Sequence, residues 1–223
     1  MLVAQDIGAR YGTTQALRDV SVEIAAGELV AVVGRSGSGK STLLHCLAGV
    51  VRPEVGSVTF DGERIDEWTE RRRSDWRLRH VGLVLQFGDL VPELTLVENV
   101  RLPLQLAGCG HRQVSERTGS VLDRLEITDV ADRRPGQVSG GQMQRAAIAR
   151  ALVHRPAVVL ADEPTGALDT TTGQLVMEAL IGAAQEQASA VVLVTHEARL
   201  SSYCDREITL EDGSVAAPVM APR

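Results

Sequence analysis

A chain of 223 residues with 44% hydrophobic and 23% charged side chains can bury roughly 70–75% of its unfolded surface, so it needs no staple to fold. A net charge of −6 excludes the basic footprint of a general nucleic-acid binder, and no apolar run has the length of a membrane span. The three cysteines, Cys46, Cys109 and Cys204, have no metal or disulfide spacing, and the opening MLVAQDIGARYG has no leader pattern, so the expected site is the cytoplasm.

Strand-like runs come first, at 2–7, 19–24 and 29–33, the last being a β-branched stretch that ends at Gly34. GRSGSGKSTLL follows, with Gly34, Gly39, Lys40 and Ser41 in the spacing G-x-x-x-x-G-K-[ST] and Thr42 next. A helical pattern over 40–48 then places Leu43, Leu44 and Leu47 at helical spacing and stops at Gly49. Strand, glycine loop and helix in that order predict a phosphate cradle. Backbone N–H groups of Gly34, Arg35, Ser36, Gly37, Ser38 and Gly39 wrap the phosphates, Lys40 reaches the terminal ones, and the Ser41 hydroxyl binds Mg²⁺. Lys40 is the one lysine among 23 basic residues. An ammonium enters a narrow pocket as a point charge, where the planar guanidinium fork does not fit. The preference for arginine elsewhere points to a GC-rich genome, not to a function.

After a strand at 57–60, a helix is expected over 69–79; its basic run Arg71–Arg73 is offset by Glu67, Glu70 and Asp75 and reads as a solvated face. A strand at 81–85 precedes helices at 95–107, 112–126 and 140–153, with no strand from 95 to 153. The last of these helices opens with Ser139, Gly140, Gly141 and Gln142: an N-cap, two residues that let an anion approach the backbone, and a positive helix end. Strands at 157–161, 190–194 and 206–210 alternate with a helix at 171–187, as in a parallel α/β sheet. Asp162 and Glu163 stand at the C-terminal end of the first of these strands, where open α/β sheets carry ligand chemistry. Asp162 suits Mg²⁺, held through its water shell, and Glu163 suits an attacking water. His196 follows the next strand and comes to the same edge, whereas His45, His80, His111 and His154 read as surface or satisfied core groups. The tail APVMAPR is expected to be disordered.

Two glycine-rich anion loops are more than one triphosphate needs. Together with the acids and the histidine, they make the chain resemble the nucleotide-binding subunit of an ATP-binding cassette (ABC) transporter over residues 1–216, with the motifs in family order. The resemblance implies an α/β fold of the P-loop NTPase type: a RecA-like core sheet with an antiparallel β subdomain (core 1–86 and 155–223) and a helical subdomain at 87–154. It implies MgATP as ligand, Tyr11 stacked on adenine, and Gln86 touching Mg²⁺ and the attacking water. It makes Ser139–Gln142 the signature loop that closes over ATP held by a second subunit. Asp162 becomes the metal-associated acid, Glu163 the general base, Asp169 the aspartate of the loop facing the other subunit, and His196 the switch histidine on the γ-phosphate. Val138 departs from the family's usual leucine.

Within the family, LQFGDLVPELTLVENVRLPLQLAG (85–108) and ADEPTGALD (161–169) look most like the branch serving lipoprotein release, macrolide export and antimicrobial-peptide resistance. That implies an ATP-dependent homodimer, or a heterodimer with a related subunit. It also implies an integral-membrane permease as partner, a peripheral position on the cytoplasmic face of the membrane, and no nucleic acid. A DNA-repair or chromosome ATPase would carry a long coiled coil or zinc insertion, and a translation factor two cassettes. A regulatory ATPase controlling cell-wall hydrolases through a permease-like partner uses the same residues and is the alternative.

Overall fold

The computed structural model of the protein describes residues 1–86 and 89–216; the expected disorder at 217–223 lies outside them. The elements in chain order are β1 (Leu2–Tyr11), β2 (Thr14–Ile24), β3 (Leu29–Val33), α1 (Lys40–Leu47), β4 (Val55–Phe60), β5 (Glu63–Arg64), α2 (Glu70–His80) and β6 (Val81–Val84). Then come α3 (Leu96–Leu106), α4 (His111–Arg124), short 3-10 turns at Thr128–Val130 and Pro135–Gln137, α5 (Gly140–Leu152), β7 (Val158–Asp162) and α6 (Thr170–Glu186). β8 (Ala190–Thr195), α7 (Ala198–Ser201), β9 (Arg206–Glu211) and β10 (Ser214–Val215) close the chain. Every expected strand and helix is present, and 95–153 holds no strand. The chain divides into two compact units, Met1–Ser74 with the chain from Val192 onward, and Asp75–Val191.

In the first unit β1 pairs antiparallel with β2 and β4, and β4 with β5. Both long strands run further than their hydrophobic alternation suggests, because each carries a left-handed aspartate: Asp6 at φ 50° and Asp19 at φ 53°. At each the inward-facing series slips by one residue, from Ala4 to Ile7 and from Leu17 to Val20, so alternation resumes out of phase across a bulge. β3 pairs parallel with β9, and β10 turns back on β9. Arg73 corrects the reading of its run as solvated: it is 6% exposed, donates to the Trp68 carbonyl and pairs with Glu70. Arg72 lies over the Trp68 ring at 3.9 Å and bridges to Glu63.

In the second unit β6 and β7 run parallel, and α5 lies close against β6: a Cβ at Gly82 would stand 2.4 Å from the Ala151 carbonyl oxygen. The buried face of α5 is alanine-rich (Ala146, Ala147, Ala149, Ala151 with Ile148 and Leu152), which permits that approach. Thr95 and Glu98 form a capping box at the start of α3. Fully buried Asn99 bonds both the N–H and the carbonyl of Val91 and so holds the turn before that helix. Arg124 ties α4 to α6 through Glu186. Among the described residues no helix is long and apolar enough to cross a membrane.

His154, two residues beyond α5, bonds the Val81 carbonyl through Nε2 at 3.2 Å, while Nδ1 is buried without a partner among the described residues. Burial pushes this imidazole down to about 4 from the usual 6.5. A depressed histidine contributes stability in full above pH 6.5 and loses it as pH falls toward 4, by roughly 3 kcal/mol in total. Urea unfolding across that range is expected to show His154→Gln lacking this component, so the wild-type and variant stabilities converge or cross as pH falls; parallel curves would contradict it.

Candidate functional site

The expected phosphate loop is built on β3, whose Leu29 to Val32 are buried and whose end delivers Gly34. At Gly34 a Cβ would stand 2.2 Å from the Leu210 carbonyl oxygen, and at Gly39, with φ 102°, 2.4 Å from that of Ala16. Only glycine lets the main chain pass there. Gly39 is the N-cap of α1 and supplies no side-chain acceptor, and the helix has no acid in its first turn, so its N-terminal N–H groups and dipole face the loop uncompensated. Lys40 is 7% exposed, and its Nζ donates to the carbonyls of Gly34 and Arg35 at 2.8 and 3.0 Å. The Ser38 hydroxyl is buried with no partner, a donor left for an anion. Arg35, Ser36, Gly37 and Ser41 are exposed, and Thr42 is buried beneath them.

In the same unit Tyr11 ends β1 before a turn through left-handed Gly12, and at 52% exposure its ring is open to stacking. His196 directly follows the buried end of β8 and is exposed, while the Thr195 hydroxyl accepts from the N–H of Glu197.

The second unit brings the remaining expected residues into one connected patch. Asp162 ends β7 with Oδ1 buried and unpartnered, as a carboxylate that serves a hydrated cation would be; the residue fits Mg²⁺ on that ground. Glu163 leaves the strand at φ 46°, an uncommon left-handed conformation for a side-chain-bearing residue, and its carbonyl accepts from Gly166. Gln86 reaches this turn: a Cβ at Gly166 would stand 2.8 Å from its Nε2. Next, Leu168 lies under Gly140, and Thr172 stands against Gly141, where a Cβ would be 2.5 Å from its Cγ2. Ser139 and Gln142 close a capping box at the start of α5, where Ser139 and Gly140 are exposed and Gly141 is buried. Val138, half-buried just before it, leaves that cap intact.

Asp169 has a local task that motif reading missed. Its carboxylate caps α6, accepting from Thr171 and Thr172 N–H groups at 3.1 Å, and the Thr172 bonds above all hold it below the usual carboxylate range. Gln144 was missed as well. It is 2% exposed and donates to the Leu85 carbonyl at 3.1 Å, fastening α5 to the residue before Gln86. A buried glutamine on an otherwise alanine-rich helix face was the available signal.

Residues 17–166 match the sequence profile of the family described as ABC transporter. The chain is 43% identical over 202 residues to a lipoprotein-releasing system ATP-binding protein, LolD 2, of Caulobacter vibrioides, covering 91% of this chain and 89% of that one. It is 41% identical to the LolD of Acinetobacter baylyi, covering 96% of each. Among solved structures it superposes on the dimeric bacterial ABC transporter cassette MJ0796 with a TM-score of 0.90 at 36% identity, and on that cassette in a post-hydrolysis state bound to ADP and Pi with 0.88 at 35%, each covering 97% of both chains.

The contact between Gly141 and Thr172 generates a test. Gly141→Ala is expected to lose about 1–3 kcal/mol by overpacking, read as a lower Tm together with reduced ATP turnover. Adding Thr172→Ser, which removes Cγ2 and keeps the hydroxyl, is expected to restore both. A double variant no better than the single would place the conflict elsewhere.

Proposed function

We propose, from the premise that the chain belongs to the ABC transporter family as an ATP-binding and ATP-hydrolysing subunit, that two copies close head to tail on ATP and drive a separate integral-membrane permease. The observation that carries this reading is the second anion loop. Ser139 and Gly140 stand exposed at a capped helix start, and among the described residues the Ser139 side chain bonds within that cap. Helix starts of this kind bind phosphate. A second chain's ATP is the ligand such a loop fits, and the dimeric assembly of MJ0796 supports the same pairing here.

In the proposed cycle Tyr11 stacks on adenine, residues 34–42 hold the phosphates, and Lys40 turns from its two carbonyls to the β- and γ-phosphates. Ser41, Gln86 and Asp162 would hold Mg²⁺, which when bound would supply positive charge to the transferring group. Glu163 takes a proton from the water that attacks the γ-phosphorus. The bond from that phosphorus to the β–γ bridging oxygen breaks, leaving ADP and phosphate, while His196 contacts the γ-phosphate. Closure moves the helical segment 87–154 against the permease, and hydrolysis resets the pair. The chain would then lie on the cytoplasmic face of the membrane. The lipoprotein-releasing relatives, alike over nearly their whole length, favour a permease that handles lipoproteins.

Glu163→Gln is expected to cut turnover by about 10²–10⁴-fold while retaining ATP and shifting the chain from monomer to dimer in light scattering with MgATP. Affinity purification of that variant from native membranes is expected to carry a polytopic membrane protein with it; soluble partners alone, or DNA, would overturn the permease reading. Lys40→Arg is expected to lose ATP affinity or turnover although it keeps the charge. Normal hydrolysis in that variant would remove the point-contact role.

A further inference from the structure

The first unit contains the same dipeptide turn twice. Asp61-Gly62 joins β4 to β5, and Asp212-Gly213 joins β9 to β10. Their backbones are near duplicates, with φ 48° and 83° in the first and 46° and 82° in the second. Both residues of each turn are left-handed, as a tight two-residue hairpin requires. Their surroundings differ entirely. A Cβ at Gly62 would meet nothing within 4 Å, whereas one at Gly213 would stand 2.8 Å from the Ala16 carbonyl oxygen.

Gly213 is also hydrogen-bonded on both sides of its own backbone. Its N–H donates to the Ser38 carbonyl at 3.1 Å, inside the phosphate loop, and its carbonyl accepts from Arg18 at 2.6 Å. Leu210 at the end of β9 completes the contact, with its carbonyl against Gly34 and its side chain 3.3 Å from the Cβ position of Gly39. The loop is thus braced at Gly34, Ser38 and Gly39 by one hairpin from the far end of the chain.

The consequence follows from peptide geometry. In a trans peptide the C=O and the N–H of the next residue point in opposite directions. Holding the Ser38 carbonyl on Gly213 therefore directs the N–H of Gly39 away from the hairpin. It is one of the groups at the start of α1 on which a phosphate would rest.

We propose that Gly213 is a positioning residue for nucleotide binding: the Asp212-Gly213 turn sets the Ser38–Gly39 peptide plane and so orients a phosphate-binding N–H. This rests on residues 34–42 being the phosphate loop. Gly213→Ala and Gly62→Ala carry the same left-handed strain, so a comparison of the two in the full chain separates turn chemistry from loop positioning. Both are expected to lower Tm. Only Gly213→Ala is expected to weaken binding of a fluorescent ATP analogue, about ten-fold as for one lost hydrogen bond, raising KM while kcat at saturating ATP stays unchanged. Equal affinity in the two variants, whether at the wild-type value or lowered together, would overturn the proposal. Lys40→Ala serves as the reference for the loop itself. If it binds ATP normally the phosphate-loop reading fails, and if it loses ATP while Gly213→Ala does not, only the positioning role fails. Should Gly213→Ala not fold, hydrogen exchange in the wild-type chain decides: the Gly213 amide is expected to slow further on ATP binding and that of Gly62 to stay unchanged, and a Gly213 amide indifferent to ATP would contradict the role.

Discussion

At Gly34 and Gly39 the phosphate loop runs with its main chain against the main chain of other strands, so close that a single Cβ would collide with a carbonyl oxygen at 2.2 or 2.4 Å. A polyphosphate held by backbone N–H groups demands this arrangement, because those groups converge only if the loop is bent tightly and no side chain stands between loop and scaffold. The same device recurs in the second unit, where Gly82 lets α5 lie against β6; at Gly140 and Gly141 the close neighbours are instead the side chains of Leu168 and Thr172. Close backbone approach places the chemistry, and a buried aliphatic strand in each unit, β3 in the first and β7 in the second, supplies the rigidity behind it.

Two of the buried polar groups that the fold leaves unpaired stand at expected ligand positions. Ser38 Oγ and Asp162 Oδ1 are buried with no partner, a donor in the phosphate loop and an anion at a strand end. Leaving such groups unpaired costs about 1–3 kcal/mol each. Glu163 adds backbone strain beside Asp162, at φ 46° where the chain leaves its strand. Strain of this sort persists where a side chain must be aimed in a direction the relaxed backbone would not give.

Much of this was legible before any coordinates, because the informative residues are local. G-x-x-x-x-G-K-S between a strand and a helix, acids at a strand end, and S-G-G-Q at a helix start each state their chemistry within a few positions. What escaped was long-range or out of phase. β1 and β2 continue past their bulges at Asp6 and Asp19, where alternation breaks frame, and β5 and β10 are two-residue strands visible only as Asp-Gly turns. The reach of Gln144 to Leu85 spans 59 residues, and the contact of Gly213 with Ser38 joins the two ends of the chain. Arg73 looked solvated because a helix periodicity of charges cannot show that one arginine folds back onto the Trp68 carbonyl.

The central claim is that the signature loop of one copy serves the ATP of another, and mixing two disabled chains tests it most directly. Lys40→Ala removes the phosphate contact. Gly140→Asp places a carboxylate on the signature loop at a position where, among the described residues, the close neighbour of a Cβ is a flexible leucine side chain, so the chain is expected to fold. Each variant alone should be inactive. In a head-to-tail pair the mixed dimer holds one intact site, so an equal mixture should recover up to about a quarter of wild-type turnover by random pairing. A mixture that stays at the sum of its parts, or a Gly140→Asp chain that hydrolyses ATP normally, would contradict the account.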